Sequence, residues 1–158
     1  MTDVRTKILI FVVAFASATA FAQAPPAASA DYSGMYSFLK DGEFVQLNLE
    51  GHDKVTGFVS RYGDLESDRG TFLDHFFKKA SLSGNRIQFT TEQVHGVWFD
   101  FKGTLQLGSG KTPDDEDHYE MKGTLTEYTL DQDKKESARS RDVTFKSFPR
   151  DVATGKSR

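Results

Sequence analysis

The stretch from residue 94 to residue 107, Val-His-Gly-Val-Trp-Phe-Asp-Phe-Lys-Gly-Thr-Leu-Gln-Leu, decides the fold. From Val97 to Leu107 its odd-numbered positions are apolar or glycine, and its even-numbered positions are polar apart from Trp98. Because successive side chains of a strand point to opposite faces, the alternation predicts one long strand with a buried face and a solvated face.

The same period-two alternation recurs from Tyr32 to Phe148, in short runs that Gly, Asp and Asn separate. This pattern is typical of antiparallel strands joined by tight turns. Asp41-Gly42 predicts a two-residue type I′ hairpin, which needs positive φ at both central residues, and Gly84-Asn85 predicts another short connection. Eight strands are predicted, over residues 33–39, 43–50, 54–61, 78–83, 86–92, 94–107, 118–129 and 141–147.

The segment from Gly70 to Lys79 fits two structures. Four of its apolar residues would share one face of a helix: Phe72, Leu73, Phe76 and Phe77. We expect at most one short helix near 70–79, and the alternative for the same residues is a strand with a bulge.

Eight sequential strands leave two sheet edges to hide, and closure into a barrel removes both. We therefore expect an all-β fold, a single antiparallel up-and-down β-barrel of about eight strands, with a two-sheet β-sandwich as the alternative. Glycines at 57, 103 and 123 would let such a sheet bend. The tetrapeptide Lys-Gly-Thr-Leu occurs at 102–105 and again at 122–125, either by chance or because two strands are built alike.

The layout resembles that of calycins, the lipocalin and avidin superfamily, whose eight-stranded meander opens with Gly-x-aromatic. Here that motif is Gly34-Met35-Tyr36, with Tyr where the family typically has Trp. The resemblance implies a basic partner for this aromatic near the last strand, either Arg141 or Lys146. It also implies binding of a small, often apolar molecule inside the barrel, without specifying which one.

The ends of the chain differ in composition from the body. Residues 1–22 carry Arg5 and Lys7, an apolar run from residue 8 to residue 16 and then Ala20-Phe21-Ala22, the order of a secretory signal peptide. We expect cleavage after Ala22 and export to the periplasm or the extracellular space; the alternative is an uncleaved anchor. Residues 23–31 read as a Pro/Ala-rich tether, 32–149 as the barrel domain and 150–158 as a disordered tail.

Composition and motifs exclude several functions. A net charge of −3 argues against a general nucleic-acid binder, which needs a basic surface. The absence of Cys excludes disulfides, thiolate metal sites and cysteine nucleophiles. No phosphate loop, dinucleotide fingerprint or hydrolase motif is present, so no cofactor is expected and a non-enzymatic protein is favoured. The polar outward positions predict a barrel that is not embedded in a membrane, and the oligomeric state stays open.

Two strongly polar residues have the parity of the inward face. Arg61 shares parity with Val59, so its guanidinium would lie at the barrel rim, where it would hold a carboxylate ligand or pair internally with Asp64 or Asp68. His95 would point inward at the mouth of the longest strand. The four histidines are too widely spaced to form a metal-binding pair along one element, so no metal site is predicted.

These observations lead us to expect an exported, soluble barrel that binds a small apolar or amphipathic ligand in its interior. The predicted ligand-binding residues are Val59, Arg61, Phe89, His95, Phe99, Phe101 and Met121. The first alternative is a structural or protein-interaction module with a filled barrel. A surface module that engages a polymer or a protein through Phe58, Tyr62 and Trp98 is a further one. The last is an enzyme in which His95 acts as general acid or base near Arg61, with Asp64 or Asp100.

Overall fold

The computed structural model describes residues 30–51, 54–64 and 66–150. The predicted signal peptide, the tether up to residue 29 and the tail from residue 151 lie outside these residues. No helix among the described residues has the length and apolar character needed to cross a membrane.

The chain forms an all-β meander in which every strand pairs antiparallel with the next, in the order of the sequence. The strands are β1 (Gly34–Ser37), β2 (Phe44–Glu50), β3 (Lys54–Tyr62), β4 (Phe72–Ser83), β5 (Arg86–Thr91), β6 (Val97–Leu107), β7 (Tyr119–Leu130) and β8 (Glu136–Lys146). A single 3-10 turn, Glu66–Asp68, is the helical element of the described residues. The predicted fold class is therefore confirmed, and the sheet is continuous rather than split into a sandwich.

The sheet curls into a half-barrel whose first and last strands meet only at one end. Tyr36 of β1 forms a bridge with Ser147, and the Phe148 amide donates to the Met35 carbonyl at 2.9 Å. Because β1 has only four residues, the remainder of β8, from Glu136 to Thr144, has no partner strand on that side among the described residues. We refer to this part of β8 as the open edge.

Of the two structures that residues 70–79 fit, the strand with a bulge is confirmed, and these residues form no helix. These residues belong to β4, with a register shift between Phe77 and Lys79 where the strand bulges. Pairing with β3 sends Leu73 and Phe77 inward, and Phe77 stacks on Phe89 with ring centroids 4.3 Å apart. A helix would have left the neighbouring strands without backbone partners, so tertiary pairing overrides the helical spacing.

Of the two predicted turns, one is the short connection expected and the other has a different length and type. Gly84-Asn85 joins β4 to β5 directly, since Ser83 pairs with Arg86. The Asp41-Gly42 connection is longer than a two-residue hairpin, because the Phe38 amide bonds the Glu43 carbonyl and the Glu43 amide bonds the Lys40 carbonyl. Only Gly42 of the pair has positive φ, 85°, so the turn is type II and the type I′ prediction is wrong.

The repeated Lys-Gly-Thr-Leu segments lie side by side. Gly103 of β6 pairs with Gly123 of β7, and a Cβ added at Gly123 would lie 2.5 Å from the Gly103 Cα. A Cβ added at Gly103 would lie 2.6 Å from the ring of Phe101. The glycines therefore let two strands approach closely where an aromatic ring covers them.

The core fills the concave side of the sheet. Rings carried by different strands meet in the middle: Phe38 lies 5.2 Å from Phe145 and 5.4 Å from Phe99 between centroids, and Phe101 lies 5.7 Å from Phe145. Five predicted interior residues are buried on this face, as the alternation predicts: Val59, Phe89, Phe99, Phe101 and Met121. Phe38 differs from the others because the β1–β2 connection carries it rather than a strand.

Candidate functional site

One end of the half-barrel carries a cluster of ionisable side chains, which we call the polar mouth. It is formed by the connections β1–β2, β3–β4 and β5–β6, which an up-and-down topology brings to the same end. Its members are Glu43, Arg61, Asp64, Asp68, His75 and His95.

Arg61 points inward, as its parity predicts, and is 5% exposed. Its guanidinium forms an ion pair with Asp64, which is the internal pairing the sequence offered as an alternative to a ligand. Partial burial would raise the pKa of the Asp64 carboxyl, but the hydrogen bond and charge of Arg61 outweigh it and hold that pKa below its ordinary value. The Arg61 guanidinium carbon also lies 5.8 Å from the centre of the Phe99 ring, within cation–π range.

The predicted inward orientation of His95 is wrong. Its side chain is 50% exposed, and its Nδ1 lies 2.6 Å from the Asp68 carboxylate. Strand β6 begins only at Val97, because Val94 and Val97 bond each other's backbone in a tight turn and His95 has a φ of 49°. Side-chain alternation cannot be extended through such a turn, so the parity of His95 carries no information about its face.

His75 is the interior histidine, and sequence reasoning missed it. It pairs with Val59 across β3 and β4, is completely buried, and meets the edge of Phe99 at 5.3 Å. Neither ring nitrogen meets the geometry of a hydrogen bond among the described residues, although backbone groups of Glu92 and Val97 lie close to the ring. Burial, together with the nearby charge of Arg61, lowers the pKa of His75 from 6.5 to about 4. Period-two reading of Leu73 to Phe77 would have found it, but those residues were also compatible with a helix.

Glu43 is buried as well, but its bonds explain it. Its two carboxylate oxygens accept from the backbone amides of Tyr62 and Lys40, each at 3.1 Å. The side chain therefore ties the β1–β2 turn to the end of β3. It is satisfied within the protein and needs no ligand.

The residues of the enzyme alternative do not assemble. Arg61 bonds Asp64 and His95 bonds Asp68, and no hydrogen bond or ion pair joins Arg61 to His95 among the described residues. Asp100 pairs with Thr90 and Thr126 on the outer, even-numbered face. A general base must lie within hydrogen-bond reach of its partners. The described residues also hold no group of three carboxylate or imidazole side chains that could bind a metal ion.

The outer face of β2, β3 and β4 carries two neighbouring groups of aromatic side chains, which together we call the aromatic ladder. Its members are Phe44, Phe58, Tyr62, Phe72 and Phe76. The rings of Tyr62 and Phe72 are 4.4 Å apart, those of Phe58 and Phe76 5.4 Å, and those of Phe44 and Phe58 5.8 Å. Phe72 is 43% exposed and Phe76 58%.

A polar pair separates the two rungs of the ladder. Tyr62 pairs with Phe72, Ser60 with Asp74, and Phe58 with Phe76, in consecutive register positions of one face. The Ser60 hydroxyl bonds the Asp74 carboxylate at 2.7 Å. The outward orientation of Phe58 and Tyr62 is as the sequence predicts, whereas Phe72 and Phe76 escaped notice because their segment also fitted a helix.

Trp98 does not belong to this surface, which corrects the predicted patch of Phe58, Tyr62 and Trp98. It stacks on Tyr128 with centroids 5.1 Å apart, on β6 and β7. Strands β4 and β5 separate it from Phe58. The outer face therefore has two distinct aromatic sets.

A groove of about 390 Å³ crosses the sheet over β4, β5 and β6. Two register rows with outward polar side chains line it, Lys79–Thr90–Asp100 and Ser81–Gln88–Lys102, together with the inward row Ala80–Phe89–Phe101 between them. Along β4 the groove begins three residues after Phe76, just past the bulge. It therefore continues the outer surface on which the ladder lies.

The calycin-like motif has a different environment from the one that the resemblance implies. Tyr36 is completely buried, and its hydroxyl donates to the Tyr32 carbonyl at 2.7 Å. Arg141 pairs with Glu127 and Lys146 with Asp117, so each basic candidate has a carboxylate partner.

Comparison with known proteins adds no relative, since no family model, curated protein or solved structure matches this chain. The class is accordingly defined by the fold: an eight-stranded antiparallel up-and-down meander curled into a half-barrel, with a layout compatible with that of calycins.

Proposed function

We propose that this protein is a non-enzymatic binding module in which the barrel is a rigid support and the aromatic ladder contacts a partner. The ladder is the observation that carries the proposal. Monomeric proteins rarely leave a large contiguous apolar patch in water, and such patches commonly mark binding surfaces. The ladder joins a trio of rings in contact to a second pair across the Ser60–Asp74 position, and two of its five side chains, Phe72 and Phe76, are more than 40% exposed.

The packing of the interior supports an external rather than an internal site. Phe38 occupies the space between Phe99 and Phe145, and Phe101 closes on Phe145 from another strand. A barrel of eight strands has an interior that side chains can just fill. The rings that meet there make the sheet stiff, and a stiff sheet holds the ladder in a fixed geometry.

The proposal also includes export of the protein from the cytoplasm. The order of charged, apolar and small residues in 1–22 supports translocation out of the cytoplasm and cleavage after Ala22. Expression of the full chain in a bacterial host followed by intact-mass measurement of the exported fraction tests this. A mass lacking the first 22 residues is expected, and a full-length protein retained in the cell would contradict it.

Site-specific photo-crosslinking tests the binding module. A benzophenone amino acid replaces Phe76 in one variant and Trp98 in a second, because Trp98 is an outward aromatic outside the ladder. Benzophenone inserts into C–H bonds and therefore reports any class of macromolecule. We expect irradiation of exporting cells to give a crosslinked product at position 76 that is absent at position 98. Equal labelling at both positions, or none at position 76, would refute the proposal.

A second candidate function is suggested by His75: an amphipathic ligand held inside a calycin-like barrel. A buried imidazole without a hydrogen-bond partner is costly, and a ligand head group at His75 and Arg61 would relieve that cost. The apolar part would lie against Phe99, Phe101 and Met121, with Val59 and Phe89 completing the wall. Binding would require Phe38 to leave the space between Phe99 and Phe145.

Displacement of a fluorescent fatty acid separates the two candidates. Internal binding predicts saturable uptake by the wild type that increases in Phe38→Ala, where the plug is removed. It also predicts loss of affinity in His75→Leu. The external module predicts no saturable uptake by the wild type. A probe taken up equally by all three proteins would argue against an interior site at His75.

A further inference from the structure

We propose that the partner of the ladder is a polysaccharide chain, which lies along the outer face of β4 from the ladder into the groove beyond the bulge. This inference rests on the proposed function, because it names the partner of the same surface.

The sequence of side chains across the ladder matches the surface of a sugar polymer. A pyranose ring presents apolar C–H faces and a rim of hydroxyl groups, so it needs aromatic faces and hydrogen-bonding groups in alternation. The ladder supplies an aromatic rung, the Ser60–Asp74 pair and a second aromatic rung. The two aromatic rungs are four residues apart along each strand, or about 13 Å, and the polar pair lies about 7 Å from each of them.

The groove extends the same chemistry past Phe76. Its outward side chains are hydroxyl, amide, ammonium and carboxylate groups, which together donate and accept hydrogen bonds: Lys79, Ser81, Gln88, Thr90, Asp100 and Lys102. One oxygen of Asp100 is buried, and the Tyr128 hydroxyl on β7 lies close to this carboxylate. A chain that leaves the ladder along β4 enters a site lined with the groups that bind sugar hydroxyls.

The charge inside the ladder disfavours two other partners. The polar pair between the rungs includes the carboxylate of Asp74, and the centre of a protein interface is depleted in charge because burying it is costly. A lipid surface attracts apolar patches that carry Lys and Arg, not an acid between their aromatic rings. Sugar hydroxyls bond a carboxylate while leaving it partly hydrated.

Affinity electrophoresis of the exported full chain tests the inference. Native gels contain one soluble polysaccharide each: hydroxyethyl cellulose, xylan, mannan, mixed-linkage glucan, glycol chitosan or alginate. We expect retardation by at least one of them, weakened roughly tenfold in Phe76→Ala by loss of an aromatic contact. Trp98→Ala, the matched aromatic control, should stay within twofold of the wild type.

A comparison of long sugar chains with a disaccharide tests whether the bound polysaccharide extends into the groove. Gln88→Ala changes the groove without touching the ladder, and within the part of the chain that the structure describes the Gln88 amide bonds only the Ser81 hydroxyl, at 3.0 Å. This variant should bind long chains several-fold more weakly than the wild type, but bind a disaccharide of the same polymer equally well. Equal affinity of Gln88→Ala for long chains would overturn the placement.

The outcomes separate the inference from the proposed function. Crosslinks to protein at position 76, with no retardation by any of the six polymers, would overturn the polysaccharide and leave the binding module intact. Binding to phosphatidylglycerol vesicles that Phe76→Ala abolishes, without retardation by any polymer, would also overturn the polysaccharide. The binding module would then have a membrane as its partner. Absence of both crosslinks and retardation would overturn the two proposals together. Retardation that Phe76→Ala does not change would refute the ladder as the site.

Discussion

His75 and Phe99 meet edge to face inside the half-barrel, 5.3 Å between ring centres, and the imidazole has no hydrogen-bond partner among the described residues. The apolar side chains around the imidazole accept it as a neutral group, but not readily as a cation. Arg61 adds a positive charge above the Phe99 ring. Because protonation of His75 is unfavourable in this environment, this residue should make the stability of the protein depend on pH.

The first prediction concerns acid stability. Above pH 6.5, His75 is neutral in both the folded and the unfolded chain. Below it the unfolded chain binds a proton that the folded chain refuses until about pH 4, so the free energy of unfolding decreases as pH falls through that window. Between pH 7 and pH 5 the loss from this residue is about 2 kcal/mol.

Urea unfolding of the wild type and of His75→Leu, each at pH 7 and at pH 5, measures this loss of unfolding free energy. The variant should lose less stability than the wild type over this interval by about 2 kcal/mol. Equal losses in the two proteins would show that His75 does not carry the pH dependence.

The second prediction concerns Arg61→Met. Asp64 is 56% exposed, so it returns to water when its partner is removed, and Met fills much of the space of the arginine stem. We expect the free energy of unfolding at pH 7 to change by less than about 1 kcal/mol. Loss of the Arg61 charge should also raise the pKa of His75 and make the pH dependence shallower.

Chemical denaturation at both pH values checks this, with Arg139→Met on the exposed part of β8 as the control. A loss of several kcal/mol at pH 7 in Arg61→Met, but not in the control, would mean that the guanidinium supports the fold beyond its pair with Asp64.

The third prediction concerns the close approach of β6 and β7. In Gly123→Ala the new Cβ would lie 2.2 Å from the Lys102 carbonyl oxygen, a backbone atom that cannot swing away. We expect a cost of at least about 2 kcal/mol. Thermal unfolding compares it with Thr144→Ala on the adjacent strand, which should cost no more than about 1 kcal/mol. Similar melting temperatures for the two variants would contradict the packing described.

The fourth prediction concerns the connection between β3 and β4. The Asp68–His95 pair is half-exposed and should contribute less than about 1 kcal/mol to global stability. It does hold the loop down, since Thr71 bonds the Asp68 carbonyl and Gly63 bonds Thr71. Asp68→Asn should therefore speed hydrogen exchange at Gly63 and Thr71 several-fold while leaving core amides unchanged. Unchanged exchange at both amides would disprove this role.

Sequence alternation predicted the strands wherever one face is apolar and the other polar, as in β6. It failed at β4, because Phe72, Leu73, Phe76 and Phe77 satisfy both a helical and a bulged-strand spacing. Only pairing with β3 decides between them. His75 and two of the five ladder residues, Phe72 and Phe76, were missed because they lie in this ambiguous segment of ten residues.

The start of β8 was missed for a different reason. The strand begins at Glu136, five residues before the predicted start, and residues 136–140 are exposed. Pairing with β7 supports them through the backbone, which leaves no hydrophobic pattern in the side chains. His95 shows the converse error, since parity was extended through a turn that the sequence did not reveal.

The open edge of β8 has a consequence for self-assembly. An unpaired strand is a template on which an extended chain can polymerise. If two copies added edge to edge, antiparallel and centred on Ser140, Arg139 of one copy would lie opposite Arg141 of the other. Like charges directly across a strand pair are destabilising. The arginines thus oppose pairing at the edge of a sheet that does not close fully, and exchanging both for valine would be expected to promote the growth of fibrils from this edge.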